Sequence, residues 1–576
     1  MPMFDYEPEQ ALGKVLAVDT ATVTVEVEDA EQLKRLQVNR LAVLRSSKVG
    51  QHLIGLITQV TRKRLAEIPD HFEDEDQGPN ELNLCKIALI GTMLDRDGDR
   101  RDVFRRTLES VPEIDAECFP LEGERLTGFM RVLSNTAAEG SSLNLGNYTL
   151  DEHATAYLNG NKFFQRHAFI GGSTGSGKSW TTARIIEQME RLSSVNAIVF
   201  DIHGEYKPLE GERIKHLKIA GPSDVDAGRG LADGVVFLPY WLLTYEALVS
   251  LFVDRTDQNA PNQSMIMARE VNEAKRAYLE EGGHNEVLGN FTIDSPVPFK
   301  IKEFLACLND INTEMVDGAR GPKQGDFFGK LARMISRLEN KLSDRRLGFL
   351  FQGGDDVLEF DWLQRLSNVL LGTASETDHG GIKIIDFSEV PSDVLPLIVS
   401  LVARLAFSVQ QWTPMEARQP VALMCDEAHV YMPQRTQASS ADSISLDIFE
   451  KIAKEGRKYG LGLVVISQRP SEVNKTLISQ CSNFVSMRLT NAEDQSVVKK
   501  LLPDSLGGFS DILPTLDTGE ALVVGDACLL PSRIRIDEPV NKPNSGTVDF
   551  WDEWQSPATE GRLSSAVKNW RKQSIQ

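Results

Sequence analysis

The stretch Gly172-Ser173-Thr174-Gly175-Ser176-Gly177-Lys178-Ser179 has the G-x-x-x-x-G-K-S spacing of a phosphate-binding loop. It stands between an apolar strand candidate, residues 168–170, and helical spacing from 179 to about 191. Glycines at these places let main-chain N–H groups turn inward around phosphate oxygens, and a helix start adds positive potential. Lys178 then reaches the β- and γ-phosphates of a nucleoside triphosphate, and Ser179 ligates Mg²⁺. With Trp180 next in line, residues 172–180 are the expected contacts of Mg-ATP.

Hydrolysis also needs carboxylates. Residues 421–425 read as a buried strand that ends in Asp426 and Glu427. The strand end is expected to bring Asp426 beside the loop to hold Mg²⁺ or its water, leaving Glu427 to orient the attacking water. Phosphoryl transfer asks mainly for positioning and electrostatics, so two carboxylates and a lysine suffice. Asp201 and Glu205, in Asp201-Ile202-His203-Gly204-Glu205-Tyr206, form a second acidic pair after the next strand, at the sheet edge where α/β folds gather ligands. The competing reading is a helix-capping Asp and a solvent-facing Glu. Gln468, in Ser467-Gln468-Arg469-Pro470, follows another strand and can hydrogen-bond the γ-phosphate or the lytic water. A helix over 445–459, stopped by Gly460, puts Lys451, Lys454 and Lys458 on one face and Arg457 at its end. Arg457 either compensates the helix dipole, worth under about 1 kcal/mol, or reaches into a neighbouring subunit's nucleotide. Arg166, before the first strand, is a second candidate nucleotide contact.

The elements that must position these groups divide the chain. At 576 residues it holds two to four domains. Residues 22–28 alternate polar and apolar, and 53–61 and 85–91 read as further strands, so a small barrel is expected over about 8–125, interrupted by an acidic loop near 70–76. The β-loop-α-β order from 165 onward predicts a parallel sheet. The domain reading is therefore 1–150 barrel and linker, 151–208 first part of an α/β core, 209–378 helical insertion, 379–540 second part of the core and 541–576 tail. The insertion rests on helical spacing at 240–252, 263–281, 301–312 and 327–342. The core resumes with strands at 382–385, 421–425, 461–466, 484–489 and 521–524. The tail carries Trp551, Trp554 and Trp570.

Composition narrows the class. Hydrophobic and charged fractions of 41% and 25% are those of a globular protein. Six cysteines without a CxxC pair suggest neither a disulfide framework nor a zinc site. A net charge of −21 argues against a surface that coats nucleic acid throughout, while leaving room for a local basic channel. No stretch of about 20 apolar residues is present and the N-terminus lacks a signal layout, so a cytoplasmic protein with no membrane partner is expected.

Taken in order, five motifs resemble those of the HerA branch of the HerA–FtsK ATPases. They are residues 167–179, 200–206, 424–429 and 451–463, with Ser467-Gln468-Arg469-Pro470. The resemblance implies an α/β fold: a RecA-like P-loop core with an N-terminal β-barrel (the HAS domain) and a helical insertion. It implies a homo-hexamer that hydrolyses ATP between subunits and passes double-stranded DNA through a central channel. Arg457 becomes a finger acting in trans, Arg166 a nucleotide sensor, and 434–445 a channel loop. HerA proteins work with an effector docked on the barrel, either a nuclease or a Sir2-type NADase, and many bacterial relatives act in anti-phage defence. A ring that serves as an effector platform with little translocation is the competing expectation.

Overall fold

A computed structural model describes the chain except residues 1–2, 28–35, 37, 39, 65–80, 139–141, 319–320, 374, 377–379, 501–510, 529, 547–548, 556–560 and 573–576. The expected acidic loop at 70–76 lies outside the described residues. The chain divides into two compact units. One comprises Met1–Gln188, Gln468–Ser471 and Cys481–Pro539, and the other Met189–Ser467, Glu472–Gln480 and Val540–Gln576.

In the first unit, the N-terminal strands are β1 (Gly13–Asp19), β2 (Thr22–Glu26), β3 (Leu41–Arg45), β4 (Gln51–Arg64), β5 (Glu81–Asp97), β6 (Arg100–Arg105) and β7 (Glu117–Pro120). They run in the order β2-β1-β7-β3-β4-β5-β6, and β2 also pairs with β5. Six strands thus close into a barrel, with β6 added outside the ring on β5. Closure removes the exposed sheet edges that would invite aggregation. The period-2 pattern sends Val23, Val25, Leu53, Ile57, Cys85 and Ile87 into a shared core. At Gly55 the register between β4 and β5 shifts. A Cβ there would sit 2.3 Å from Ile87 Cγ2, so only glycine lets the strands approach. The helix Gly123–Ala138 follows, burying Phe129, Met130 and Leu133.

The same unit holds a second set of strands. Ala168–Gly171 pairs parallel with Asn483–Ser486. Antiparallel neighbours then continue the sheet through Glu520–Gly525, Ser532–Ile536, Ser142–Tyr148 and Asp151–Asn159. Two expectations change here. The sheet is mixed rather than parallel, because a short link such as the turn at 149–150 permits hairpin pairing that periodicity alone does not distinguish. The hairpin at 142–159 belongs to this sheet, so its first strand, read as part of the linker before 151, joins the core.

The second unit contains six parallel strands in the order Val235–Val236, Ile214–Ile219, Ile382–Asp386, Ala197–Asp201, Val421–Cys425 and Leu461–Ser467. The last four are almost wholly buried, as expected of a parallel sheet covered on both faces. Ile214–Ile219 and Val235–Val236 fall within 209–378, the stretch read as a helical insertion. Apolar residues at 214, 217 and 219 mix spacings of three and two, which hides an outer strand. Helices do dominate the rest of that stretch, chiefly Tyr245–Phe252, Ala260–Glu281, Ile301–Thr313, Ala332–Ser343 and Trp362–Leu371. Their core includes Trp241, Phe252, Phe299 and Trp362. Leu395–Trp412 is long and apolar enough to cross a bilayer, yet 72% of it is buried inside the protein. In the tail, Trp551 and Trp554 are 77% and 73% exposed.

Candidate active site

The loop from Gly172 to Ser179 leaves a strand whose four residues are all buried. Gly175 and Gly177 have φ of +73° and +104°, in the left-handed region that L side chains avoid. Gly172 is required for a different reason: a Cβ there would lie 2.4 Å from Ser176 Oγ and 2.9 Å from Met487 Cβ. The loop is tied down where Ser173 N–H donates to the Arg488 carbonyl (2.8 Å) and Ser176 N–H to the Ser173 carbonyl (3.1 Å). The helix Lys178–Glu190 begins at the lysine. A helix start gathers N–H groups and positive potential and so suits an anion. Thr181 Oγ1 donates to the Gly177 carbonyl and Thr182 Oγ1 to the Lys178 carbonyl, both at 3.1 Å, fixing that turn. Lys178 and Ser179 are buried, Trp180 half-buried, and Thr174 exposed.

These residues fit a triphosphate with its magnesium ion. The glycines form a cradle that a Cβ would fill, and a buried ammonium and hydroxyl stand at the helix start. Among the described residues, no group of three or more His, Cys, Asp or Glu forms a dedicated metal cage. Nucleotide-bound Mg²⁺ does not need one, since it keeps several waters and takes one or two protein oxygens.

Within the same unit Gln468 meets the loop: Thr174 Oγ1 donates to Gln468 Oε1 at 2.6 Å. Arg166 caps the helix Gly160–Gln165 and its guanidinium is ion-paired with Asp526. Its carbonyl accepts from Ser482 N–H at 2.9 Å.

In the second unit, Val421–Cys425 delivers Asp426 and Glu427, each 3% exposed. Glu427 adopts φ +46°, ψ +41°, a left-handed conformation unfavourable for a residue with a Cβ. Strain of this kind persists where surroundings over-determine it, and it clusters at functional sites. Asp426 is held from two directions: Tyr206 O–H donates to Oδ2 (2.8 Å) and Glu427 N–H to Oδ1 (2.9 Å). Tyr431 O–H donates to the Asp426 carbonyl at 2.8 Å. His429 Nδ1 lies 3.2 Å from Glu427 Oε2 and 3.4 Å from Ser467 Oγ.

Asp201 supports this arrangement from one strand away. Its two carboxylate oxygens accept from Glu205 N–H (2.9 Å) and Tyr206 N–H (3.0 Å), shaping the turn that presents Tyr206 to Asp426. Burial pushes the Asp201 carboxyl above its ordinary pKa despite those bonds. Asp201 thus takes the capping role named as the alternative in the sequence. Glu205 is half-buried, and its carbonyl accepts from Asn544 N–H at 2.7 Å.

Helix Ser440–Glu455 runs into the 3₁₀ turn Gly456–Tyr459, ended by Gly460 at φ +74°. Ser439 caps it by accepting from Asp442 N–H, so the helix starts five residues before the expected 445, and 440–445 lie in its first turns rather than in a loop. Arg457 is exposed and makes no ion pair among the described residues, whereas Lys454 pairs with Glu450 at 3.3 Å. Sequence reasoning missed Tyr206, Tyr431 and His429 as supports of the carboxylates. Each lies within five residues of an expected site residue, but only the fold shows which side chain turns inward.

Residues 143–406 match the model of the HerA helicase central domain. The chain is 25% identical over 415 residues to the DNA double-strand break repair helicase HerA of Sulfolobus acidocaldarius, covering 70% of this chain and 71% of that protein. It is 24% identical over 451 residues to a probable DNA double-strand break repair helicase HerA of Methanocaldococcus jannaschii, covering 73% and 82%. Among solved structures, the plasmid coupling protein TrwB in complex with ADP and Mg²⁺ is similar over 72% of this chain and 94% of that one, at 15% identity and a TM-score of 0.44. With its phosphate loop, its buried Asp426–Glu427 pair and this match over residues 143–406, the chain carries a HerA-type helicase central domain of the P-loop ATPase kind.

Proposed function

We propose that this chain is the motor subunit of a cytoplasmic homo-hexamer that hydrolyses ATP and moves double-stranded DNA through its channel. The observation that carries the reading is the Asp426–Glu427 pair: two buried carboxylates, one fixed by two donors and the other on strained backbone, in a chain that also builds a complete phosphate loop. Lys178 and the loop N–H groups hold the phosphates. Ser179 and Asp426 are the oxygens that would hold Mg²⁺, which supplies charge neutralisation on the transferred phosphoryl group. Glu427 accepts a hydrogen bond from the attacking water, and Gln468, oriented by Thr174, reports on the γ-phosphate. Arg166 and Glu205 assist at the periphery. Arg457, exposed and without an ion pair among the described residues, is suited to act on a neighbouring subunit's nucleotide. The relatives' names, DNA break repair helicases, support DNA as the track.

In this reading the barrel carries an effector, a nuclease or a Sir2-type NADase, in an anti-phage role. The charge of −21 favours a second reading, a ring that activates its effector with little translocation. The test is hydrolysis and DNA stimulation at moderate salt. Lys178→Ala and Glu427→Ala are expected to abolish hydrolysis, and full activity in either overturns the assignment. Arg457→Ala should bind ATP without hydrolysing it and regain activity when mixed with Lys178→Ala subunits; no rescue overturns action in trans. If DNA neither binds nor stimulates the wild type, the platform reading replaces the motor.

A further inference from the structure

Behind the phosphate loop lies a turn with no counterpart in the motif reading. Asp517-Thr518-Gly519-Glu520 leads into the strand Glu520–Gly525, and it touches the loop twice. Gly519 N–H donates to the Ser176 carbonyl at 3.0 Å, and Thr518 Oγ1 donates to the Gly175 carbonyl at 3.3 Å. The contact is close on the other side as well: a Cβ on Gly177 would sit 3.3 Å from Gly519 N. Gly519 itself has φ +80°, and its carbonyl accepts from Ile536 N–H at 2.8 Å.

The turn is held in turn by Glu520, which is 3% exposed. Its Oε2 accepts from Asp517 N–H (3.1 Å) and from Arg533 Nε (3.0 Å), and its Oε1 accepts from Arg535 at 3.0 Å. Burial pushes this carboxyl up, but Arg533, the Asp517 N–H and Arg535 outweigh it and leave it below its ordinary pKa. Arg535 stands opposite Glu520 in the strand register and Arg533 lies diagonally across, so two cations from one strand clasp one anion on the next.

A buried ion pair is by itself weak evidence for stability. What distinguishes this one is where its rigidity goes. A carbonyl of the phosphate loop that is hydrogen-bonded on its far side cannot rotate inward, and its peptide plane is fixed. The Ser176 carbonyl is so engaged, and its peptide carries the Gly177 N–H; the Gly175 carbonyl is engaged as well, and its peptide carries the Ser176 N–H that closes the loop onto the Ser173 carbonyl.

We propose that Glu520, clasped by Arg533 and Arg535, is a positioning residue for nucleotide binding, acting through Thr518 and Gly519 on the loop at Gly175–Gly177. This rests on the reading of residues 172–179 as the ATP site. The variants are Thr518→Val, which removes one donor at an exposed position; Thr518→Ser, which keeps it; and Glu520→Gln, which keeps the shape and removes the charge. Lys178→Ala runs beside them. The readouts are the Kd of a fluorescent ATP analogue, the KM against kcat for ATP, and Tm. A single lost hydrogen bond corresponds to about a threefold to tenfold change in an equilibrium constant. Thr518→Val is therefore expected to raise Kd and KM by about that factor with kcat and Tm unchanged, Thr518→Ser to match wild type, and Glu520→Gln to raise Kd and KM by about tenfold. Wild-type Kd and KM in both Thr518→Val and Glu520→Gln, beside an inactive Lys178→Ala, overturn the positioning role alone. A fully active Lys178→Ala overturns the nucleotide reading and the positioning role with it.

Discussion

Tyr206→Phe isolates one hydroxyl. The Tyr206 ring is fully buried, so phenylalanine keeps its packing and removes only the donor 2.8 Å from Asp426 Oδ2. A hydrogen bond to a charged group contributes roughly 1.5–3 kcal/mol. Asp426 retains Glu427 N–H on its other oxygen, so the carboxylate loses orientation but stays anchored. If that orientation serves the transition state, the loss falls on the barrier, where each 1.36 kcal/mol is about tenfold in rate. The expected outcome is a kcat lower by about tenfold to a hundredfold, a raised Mg²⁺ requirement and a KM for ATP within about twofold of wild type. Steady-state hydrolysis titrated with Mg²⁺ measures all three. A wild-type kcat with a wild-type Mg²⁺ curve would refute the claim that Tyr206 fixes Asp426 for catalysis. A uniform loss of folding with no kinetic change in the surviving enzyme would show that the hydroxyl serves only the core.

Two further substitutions test other parts of the structure. Gly172→Ala places a Cβ against Ser176 Oγ and Met487 Cβ, neither of which can retreat without moving the loop, so nucleotide affinity should fall at least tenfold as judged by calorimetry. Lys383, in the strand Ile382–Asp386, is fully buried and donates to Asn196 Oδ1 (2.7 Å), the Gly372 carbonyl (3.0 Å) and the Gly381 carbonyl (2.7 Å). Burial lowers its pKa from 10.5 to about 7, with Glu376 opposing. Between those values the unfolded chain binds more protons at this residue than the folded one. Its contribution to stability therefore rises with pH across that window, by up to about a tenfold change in the folding constant per unit. Denaturant midpoints of wild type minus Lys383→Met should climb from pH 7 to 9, and parallel pH profiles would contradict the burial argument.

The sequence by itself determined the loop and its chemistry. A G-x-x-x-x-G-K-S spacing between an apolar run and helical periodicity has few uses, because glycine freedom, a lysine and a hydroxyl at a helix start are all requirements of phosphate binding. It also determined the barrel, since alternation at 22–28 can bury only one face and 53–61 and 85–91 read as further short strands. The acidic ends of strands 197–201 and 421–425 were legible for the same reason: a run of buried residues must stop where polar groups begin. Tertiary structure alone decided what those polar groups do. Asp201 and Asp426 are alike in sequence, each a carboxylate after an apolar strand. Asp201 spends its oxygens on the backbone of its own turn, while Asp426 is held by a tyrosine 220 residues away. The mixed sheet was hidden because hairpin pairing depends on which strands meet. The Glu520 clasp was hidden as well, because an ordinary Asp-Thr-Gly-Glu turn and two arginines acquire a role only when packing sets them behind a loop more than 300 residues earlier in the chain. Periodicity records which face of an element is buried; the partner it is buried against is a long-range contact that no local pattern encodes.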